Sequence, residues 1–129
     1  MEGLIEYLSS HYQRLVEVGV GRYTKVALAL KARGLSVLAT DISPQATDYP
    51  VSRDDVWEPQ LALYRDVEAI YAVRPPPELL PPLKRLARLL DLDLIIKPLA
   101  DEAIDGTLVN TAGDFFYIFP SGRGRRIGK

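Results

Sequence analysis

The feature that most constrains this chain is a set of short, almost unbroken apolar runs, each cut off by glycine, aspartate or proline. They are Leu15 to Val18 before Gly19-Val20-Gly21, Leu35 to Thr40 before Asp41, Val67 to Val73 before Arg74-Pro75-Pro76-Pro77, and Leu92 to Ile96 before Lys97-Pro98. A strand with one wet face alternates apolar and polar residues, whereas a strand covered on both faces reads as a continuous apolar run. Segments with helical spacing separate these runs. Leu4, Ile5, Leu8 and Tyr12 share one face in residues 2–12. Val26, Ala29, Leu30 and Arg33 do so between Thr24, a candidate cap, and Gly34, which accepts a left-handed conformation. Leu83, Leu86, Ala87 and Leu90 follow, with Pro82 near the first turn. The alternation predicts an α/β fold: a doubly wound, mostly parallel sheet with right-handed crossovers. Thr107 to Thr111 and Phe115 to Phe119, joined across Ala112-Gly113-Asp114, read as a C-terminal antiparallel hairpin. Residues 42–66 are less regular, with a brief strand around Tyr49 to Ser52 and a helical turn near Pro59 to Tyr64.

Residues 1–120 are expected to form a single compact domain, and 121–129 a basic flexible tail carrying Arg123, Arg125 and Arg126. With 47% hydrophobic residues in 129, the core needs no disulfide or metal staple. Lys+Arg (16) nearly balance Asp+Glu (17), which argues against coating nucleic acid or a membrane through bulk charge. No cysteine and one histidine disfavour thiolate nucleophiles, Cys/His zinc sites and Ser-His-Asp machinery. No stretch approaches the roughly 20 apolar residues of a membrane span, and the N-terminus lacks a secretory layout, so a cytoplasmic location is expected.

Open parallel sheets bind ligands beyond the carboxyl ends of their strands, where the strand order reverses. The loops at Gly19 to Arg22, Asp41 to Pro44, Asp54 to Trp57, Arg74 to Pro77 and Lys97 to Asp101 should therefore share one rim. Gly19 and Gly21 occupy a strand-to-helix turn, where a ligand can approach the main chain and meet free N–H groups. Asp41 falls 20 residues after Gly21, where a carboxylate can accept both hydroxyls of a ribose. The third glycine of a dinucleotide fingerprint would fall at Thr24, so NAD is the weaker choice.

Glu17-Val18-Gly19-Val20-Gly21-Arg22-Tyr23 resembles the first motif of the Rossmann-like S-adenosylmethionine-dependent methyltransferases, an acid followed by three alternating glycines, with Tyr23 in the third glycine's place. The resemblance implies that Glu17 lies near the methionine amino group, that Asp41 holds the ribose, and that Asp54 or Asp55 contacts the adenine amino group. Ile42 and Val56 follow these acids and could sandwich the adenine. The Thr40-Asp41-Ile42 run and residues 71–79, Tyr-Ala-Val-Arg-Pro-Pro-Pro-Glu-Leu, are similar to those of a small uncharacterised archaeal family of methyltransferase-like proteins. That likeness covers essentially the whole chain.

Methyl transfer is an in-line displacement in which positioning supplies most of the rate. Methyltransferases of amino groups commonly end the fourth strand in Asn or Asp, Pro, Pro, aromatic. Here the stretch is Arg74-Pro75-Pro76-Pro77. Arg74 offers only donors, so Arg74 and Pro75 suit an acceptor bearing phosphate or carboxylate, and Arg22 and Lys97 could add charge to the same rim. The plainer reading pairs Arg74 with Glu78 on the surface. Trp57 and Tyr23 are candidates for stacking or for a lid but read more readily as packing, and His11 as a helix-end residue. Few residues remain for an acceptor pocket, and a homodimer could supply the wall. Three functions stay open: a methyltransferase acting on a nucleotide or RNA-related acceptor, a non-catalytic binder of a nucleotide-type small molecule, and an NAD-linked or protein-interaction module.

Overall fold

The computed structural model describes residues 1–99 and 104–122. Helix α1 (Glu2–His11) leads into β1 (Arg14–Val18), then α2 (Lys25–Ala32), β2 (Ser36–Asp41) and the short β3 (Val51–Arg53). A 3-10 turn at Leu61–Tyr64 precedes β4 (Ala69–Val73). Helix α3 (Leu80–Leu90) follows, then β5 (Asp93–Lys97), β6 (Thr107–Thr111) and β7 (Asp114–Phe119). The strands form one seven-stranded sheet in the order β3-β2-β1-β4-β5-β7-β6. The first five are mutually parallel, and β7 pairs antiparallel with both β5 and β6. The expected α/β class with a mostly parallel sheet and a C-terminal antiparallel pair is what the chain adopts.

Period-two geometry explains why the central strands read as apolar runs. Leu15, Ala69, Tyr71 and Ile95 face one side, where they pack with Leu4, Ile5 and Leu8 of α1 and Val26 and Leu30 of α2. Val16, Val18, Ile70, Ala72, Leu94 and Ile96 face the other, under Leu83, Leu86 and Ala87 of α3 and under Val56 and Tyr64. β7 has one covered face and alternates buried with half-buried residues. Helix α1 is tied to the hairpin: Leu4 N–H donates to Asp114 Oδ2 at 3.0 Å, and a Cβ on Gly3 would strike the Thr111 carbonyl.

Thr24 stands at the first position before α2, but its side chain does not cap the helix. Its hydroxyl donates instead to Asp48 Oδ1 at 2.6 Å, fastening the irregular crossover between β2 and β3. Gly34 does close α2, with φ +91°. The brief strand expected at Tyr49 to Ser52 lies at Val51–Arg53, because Tyr49 is drawn inward to donate to the Val37 carbonyl at 2.6 Å. No helix among the described residues is long and apolar enough to cross a membrane. The far end of the Lys97-to-Asp101 loop and Arg123, Arg125 and Arg126 lie outside the described residues.

Candidate functional site

The strand order reverses between β1 and β4, so the loops leaving these two strands diverge and open a crevice. Gly19 and Val20 N–H both donate to the Thr40 carbonyl, at 2.9 and 3.1 Å, which folds the glycine loop back over β2. Gly19 (φ +73°) and Gly21 (φ +58°) take conformations that L side chains rarely adopt. A Cβ at Gly19 would meet only Leu79 Cδ1, at 3.9 Å, so conformation rather than crowding calls for glycine there. Asp41 fixes the turn. Its Oδ2 accepts from Gly21 N–H at 2.8 Å and its Oδ1 from Ser43 N–H at 2.9 Å.

A cleft of about 400 Å³ opens beside this turn, lined by Val18 and Gly19 from β1, Asp41 and Ile42 from β2, Asp54 to Trp57 after β3, and Pro76 and Leu79 after β4. Of the residues singled out in the sequence, Gly19, Asp41, Ile42, Asp54, Asp55 and Val56 thus converge on one cavity. Gly21 stands behind it, holding Asp41. Glu17 lies beneath the loop and does not line the cleft. It is 1% exposed and accepts from the Tyr71 hydroxyl at 2.7 Å. Burial pushes the Glu17 carboxyl up to about 7, against the opposing pull of that hydrogen bond. Tyr71 is held well above its ordinary value by its own burial and by the Glu17 charge, so it remains the donor.

The adjacent acids after β3 differ. Asp54 is buried and holds three hydrogen bonds: Oδ1 accepts from Gln60 N–H at 2.9 Å and Gln60 Nε2 at 3.3 Å, and Oδ2 from the Tyr64 hydroxyl at 2.7 Å. Burial and the Asp54 carboxylate push Tyr64 up, which keeps that proton in place. Asp55 uses Oδ1 to accept Trp57 N–H at 2.9 Å, and among the described residues its Oδ2 accepts no hydrogen bond.

The expected cations separate. Lys97 does not reach the rim as a free charge: its Nζ donates to Asp114 Oδ1 at 2.6 Å and to the Phe115 carbonyl at 2.8 Å. Arg22 donates to Gln45 Oε1 at 3.1 Å. Arg74 is exposed, adopts φ +53°, and holds its guanidinium 5.1 Å from the Tyr23 ring centre; among the described residues it forms no ion pair, with Glu78 or any other acid. Pro75 is buried behind it. His11 ends α1, its Nδ1 2.9 Å from the Tyr7 carbonyl and its ring stacked on Tyr7.

The family model described as "Uncharacterised protein family (UPF0146)" matches residues 1–121. The chain belongs to the UPF0146 family. It is similar to the UPF0146 protein of Archaeoglobus fulgidus, 38% identical over 120 residues, covering 89% of this chain and 91% of the relative. A Pyrococcus furiosus UPF0146 protein is 34% identical over 130 residues, covering 92% and 98%, and one from Methanothermobacter thermautotrophicus is 37% identical over 109 residues, covering 81% and 80%. The expected kinship with an uncharacterised archaeal family therefore holds.

In this UPF0146 member the cleft combines apolar walls from Val18, Ile42, Val56, Trp57 and Leu79 with carboxylates from Asp41, Asp54 and Asp55, and none of its lining residues is Lys or Arg. Such a lining favours ligands that donate hydrogen bonds or carry positive charge, and repels phosphate. Reading the sequence for loops placed Trp57 and Pro76 on the rim, weighed Trp57 more as packing, and passed over Val18 and Leu79. Val18 and Leu79 gave no site signal, being apolar residues at ordinary spacing.

Proposed function

We propose that this UPF0146 member binds S-adenosylmethionine in the cleft beyond β1 and β4 and transfers its methyl group to a nucleotide or RNA-related acceptor. The observation that carries the reading is a cleft whose charged lining is wholly carboxylate, with Asp41 preset at its floor. Each Asp41 oxygen accepts one backbone N–H and keeps further acceptor capacity, which suits the two vicinal hydroxyls of a ribose. Ile42 and Val56 supply apolar walls for an adenine, and Asp55 Oδ2 an acceptor for its amine. The order β3-β2-β1-β4-β5, with the antiparallel β7-β6 pair beyond it, supports a Rossmann-like sheet of the methyltransferase type.

When bound, the cofactor supplies a methyl carbon on a sulfonium, which an acceptor's lone pair takes as the carbon–sulfur bond breaks onto sulfur. The chain's own contribution is positioning. Arg74, beside Pro75 on the rim, and Arg22 are the cations left to hold an anionic acceptor once Lys97 is committed to Asp114. A second reading, binding without turnover, is favoured by the β4 loop, where Arg74 and Pro77 provide no acceptor for a target amine. NAD fits worse on either reading, since its pyrophosphate would face aspartates without a cation.

Calorimetric titration with S-adenosylmethionine, S-adenosylhomocysteine and NAD tests the assignment. The first two should bind and NAD should not, and Asp41→Ala, verified as folded by circular dichroism, should weaken binding at least tenfold. Absence of affinity in the folded wild type overturns the proposal. Binding without transfer of labelled methyl to nucleotides or RNA leaves the second reading.

A further inference from the structure

The sheet ends in β3 on one side and β6 on the other, and the two edges are finished differently. β3 is three residues long, follows Pro50 and carries Arg53. A short strand, a proline and a charge are the usual means of keeping a foreign strand off an edge. β6 has none of them. Thr107-Leu108-Val109-Asn110-Thr111 runs for five residues without proline or charge, and among the described residues no strand pairs with its outer side. Val109 is half-buried against the core beneath α1, while the other four residues are exposed, Leu108 to 54%. Helix α1 stands back from the strand and leaves an open groove of about 330 Å³ between Tyr7, Ser10 and His11 on one side and Val109 and Thr111 on the other. The two-residue turn at Ala112-Gly113 sets Thr111 against Asp114. Thr107, Val109 and Thr111 therefore turn their N–H and C=O groups to β7, and Leu108 and Asn110 turn theirs outward.

We propose that β6 pairs antiparallel with β6 of a second copy of this chain, joining the two sheets into one across a twofold axis at Val109. The segment is its own complement. About that axis Thr107 stands opposite the partner's Thr111, Leu108 opposite the partner's Asn110, and Val109 opposite the partner's Val109, so every residue of the strand is paired and no charge meets another. Thr–Thr and β-branched pairs are favourable cross-strand neighbours. The outward N–H and C=O groups of Leu108 and Asn110 bond to each other across the axis. A slip of one residue would reverse the faces, and any other register that keeps them leaves part of each strand unpaired. Twofold pairing also closes on itself, so it consumes the open edge instead of passing it on to a further chain.

Sedimentation equilibrium over roughly 1–500 μM should show the mass rising from the 14.4 kDa of one chain to twice that and no further. The double variant Leu108→Lys with Asn110→Lys sets ammonium opposite ammonium at exposed positions. It should keep the circular dichroism of the wild type and dimerise at least tenfold, on the order of 1.4 kcal/mol, more weakly. Because the chain has no cysteine, single replacements read the register. Under mild oxidation Val109→Cys should form a disulfide dimer about tenfold faster than the more exposed Asn110→Cys, since only the former brings its two Cα atoms to about 4.5 Å. Thr107→Cys should cross-link on mixing with Thr111→Cys and not by itself. The proposal is overturned by a wild type that stays monomeric over the whole range, by a dimer that the double variant leaves unchanged, by masses that grow past two chains, or by Asn110→Cys outpacing Val109→Cys.

Discussion

Asp41 and Asp114 both accept backbone N–H groups close to the termini of strands, yet their surroundings differ. Asp114 is buried and every direction is taken: Lys97 Nζ at 2.6 Å and Phe115 N–H at 3.0 Å on Oδ1, Leu4 N–H at 3.0 Å and the N-terminal ammonium at 3.6 Å on Oδ2. Burial alone would push its carboxyl up, but Lys97, the Leu4 N–H and the N-terminal charge outweigh it and hold Asp114 below its ordinary value. Asp93 is similarly consumed, accepting from the Tyr12 hydroxyl and from Ser121 N–H, each at 2.7 Å. Asp41 is half-buried, takes one N–H on each oxygen and still faces a cleft. Residue type does not tell these two carboxylates apart; acceptor capacity left over beside a cavity does.

The largest test of this contrast is Asp114→Ala. It strands the Lys97 ammonium, 13% exposed, and undocks α1, so urea unfolding should show a loss of about 3–5 kcal/mol. Asp41→Ala should cost only about 1–2 kcal/mol by the same measurement, since its partners lie nearer solvent; equal losses would erase the distinction.

Glu17 should give the next largest effect, with the opposite pH sense to Asp114. Its carboxyl is raised from 4.5 to about 7 in the fold. As pH rises through that window the unfolded chain releases the proton first, so the fold loses stability, by roughly 3 kcal/mol in all, and no more above it. Urea midpoints measured across that range should decline in wild type and lose this decline in Glu17→Gln. Asp114, being depressed, contributes stability that disappears only as pH falls through its folded value.

The smallest effect belongs to Arg74→Ala. Its exposed contact with Tyr23 is worth about 0.5–1 kcal/mol, and cofactor-type ligands should bind unchanged in calorimetry, because Arg74 does not line the cleft. A large loss of affinity for S-adenosylhomocysteine would move Arg74 into the pocket.

Much of this was legible in the sequence for a definite reason. Strands covered on both faces are apolar at most positions, so β1, β2, β4 and β5 announced themselves as near-continuous runs, with ends displaced by a residue or two. Asp41 was legible because a fixed chain length separates the glycine turn from the end of the next strand. Glu17 is adjacent to Val18 in sequence, but period-two geometry turns Val18 to the cleft and Glu17 to the buried side with Tyr71. Thr24 and Lys97 were each claimed by a distant partner, Asp48 and Asp114, that local pattern cannot reveal.

The sequence by itself determined the α/β class, the parallel core of the sheet and the pairing of a glycine turn with Asp41, because local periodicity and fixed spacing carry that information. Tertiary structure alone decided which carboxylates keep acceptors free, which cations are neutralised, and that Trp57 stands at the cleft mouth instead of in the core. Those outcomes depend on groups from 2 to 110 residues apart meeting in space, and on which of them are dry when they do.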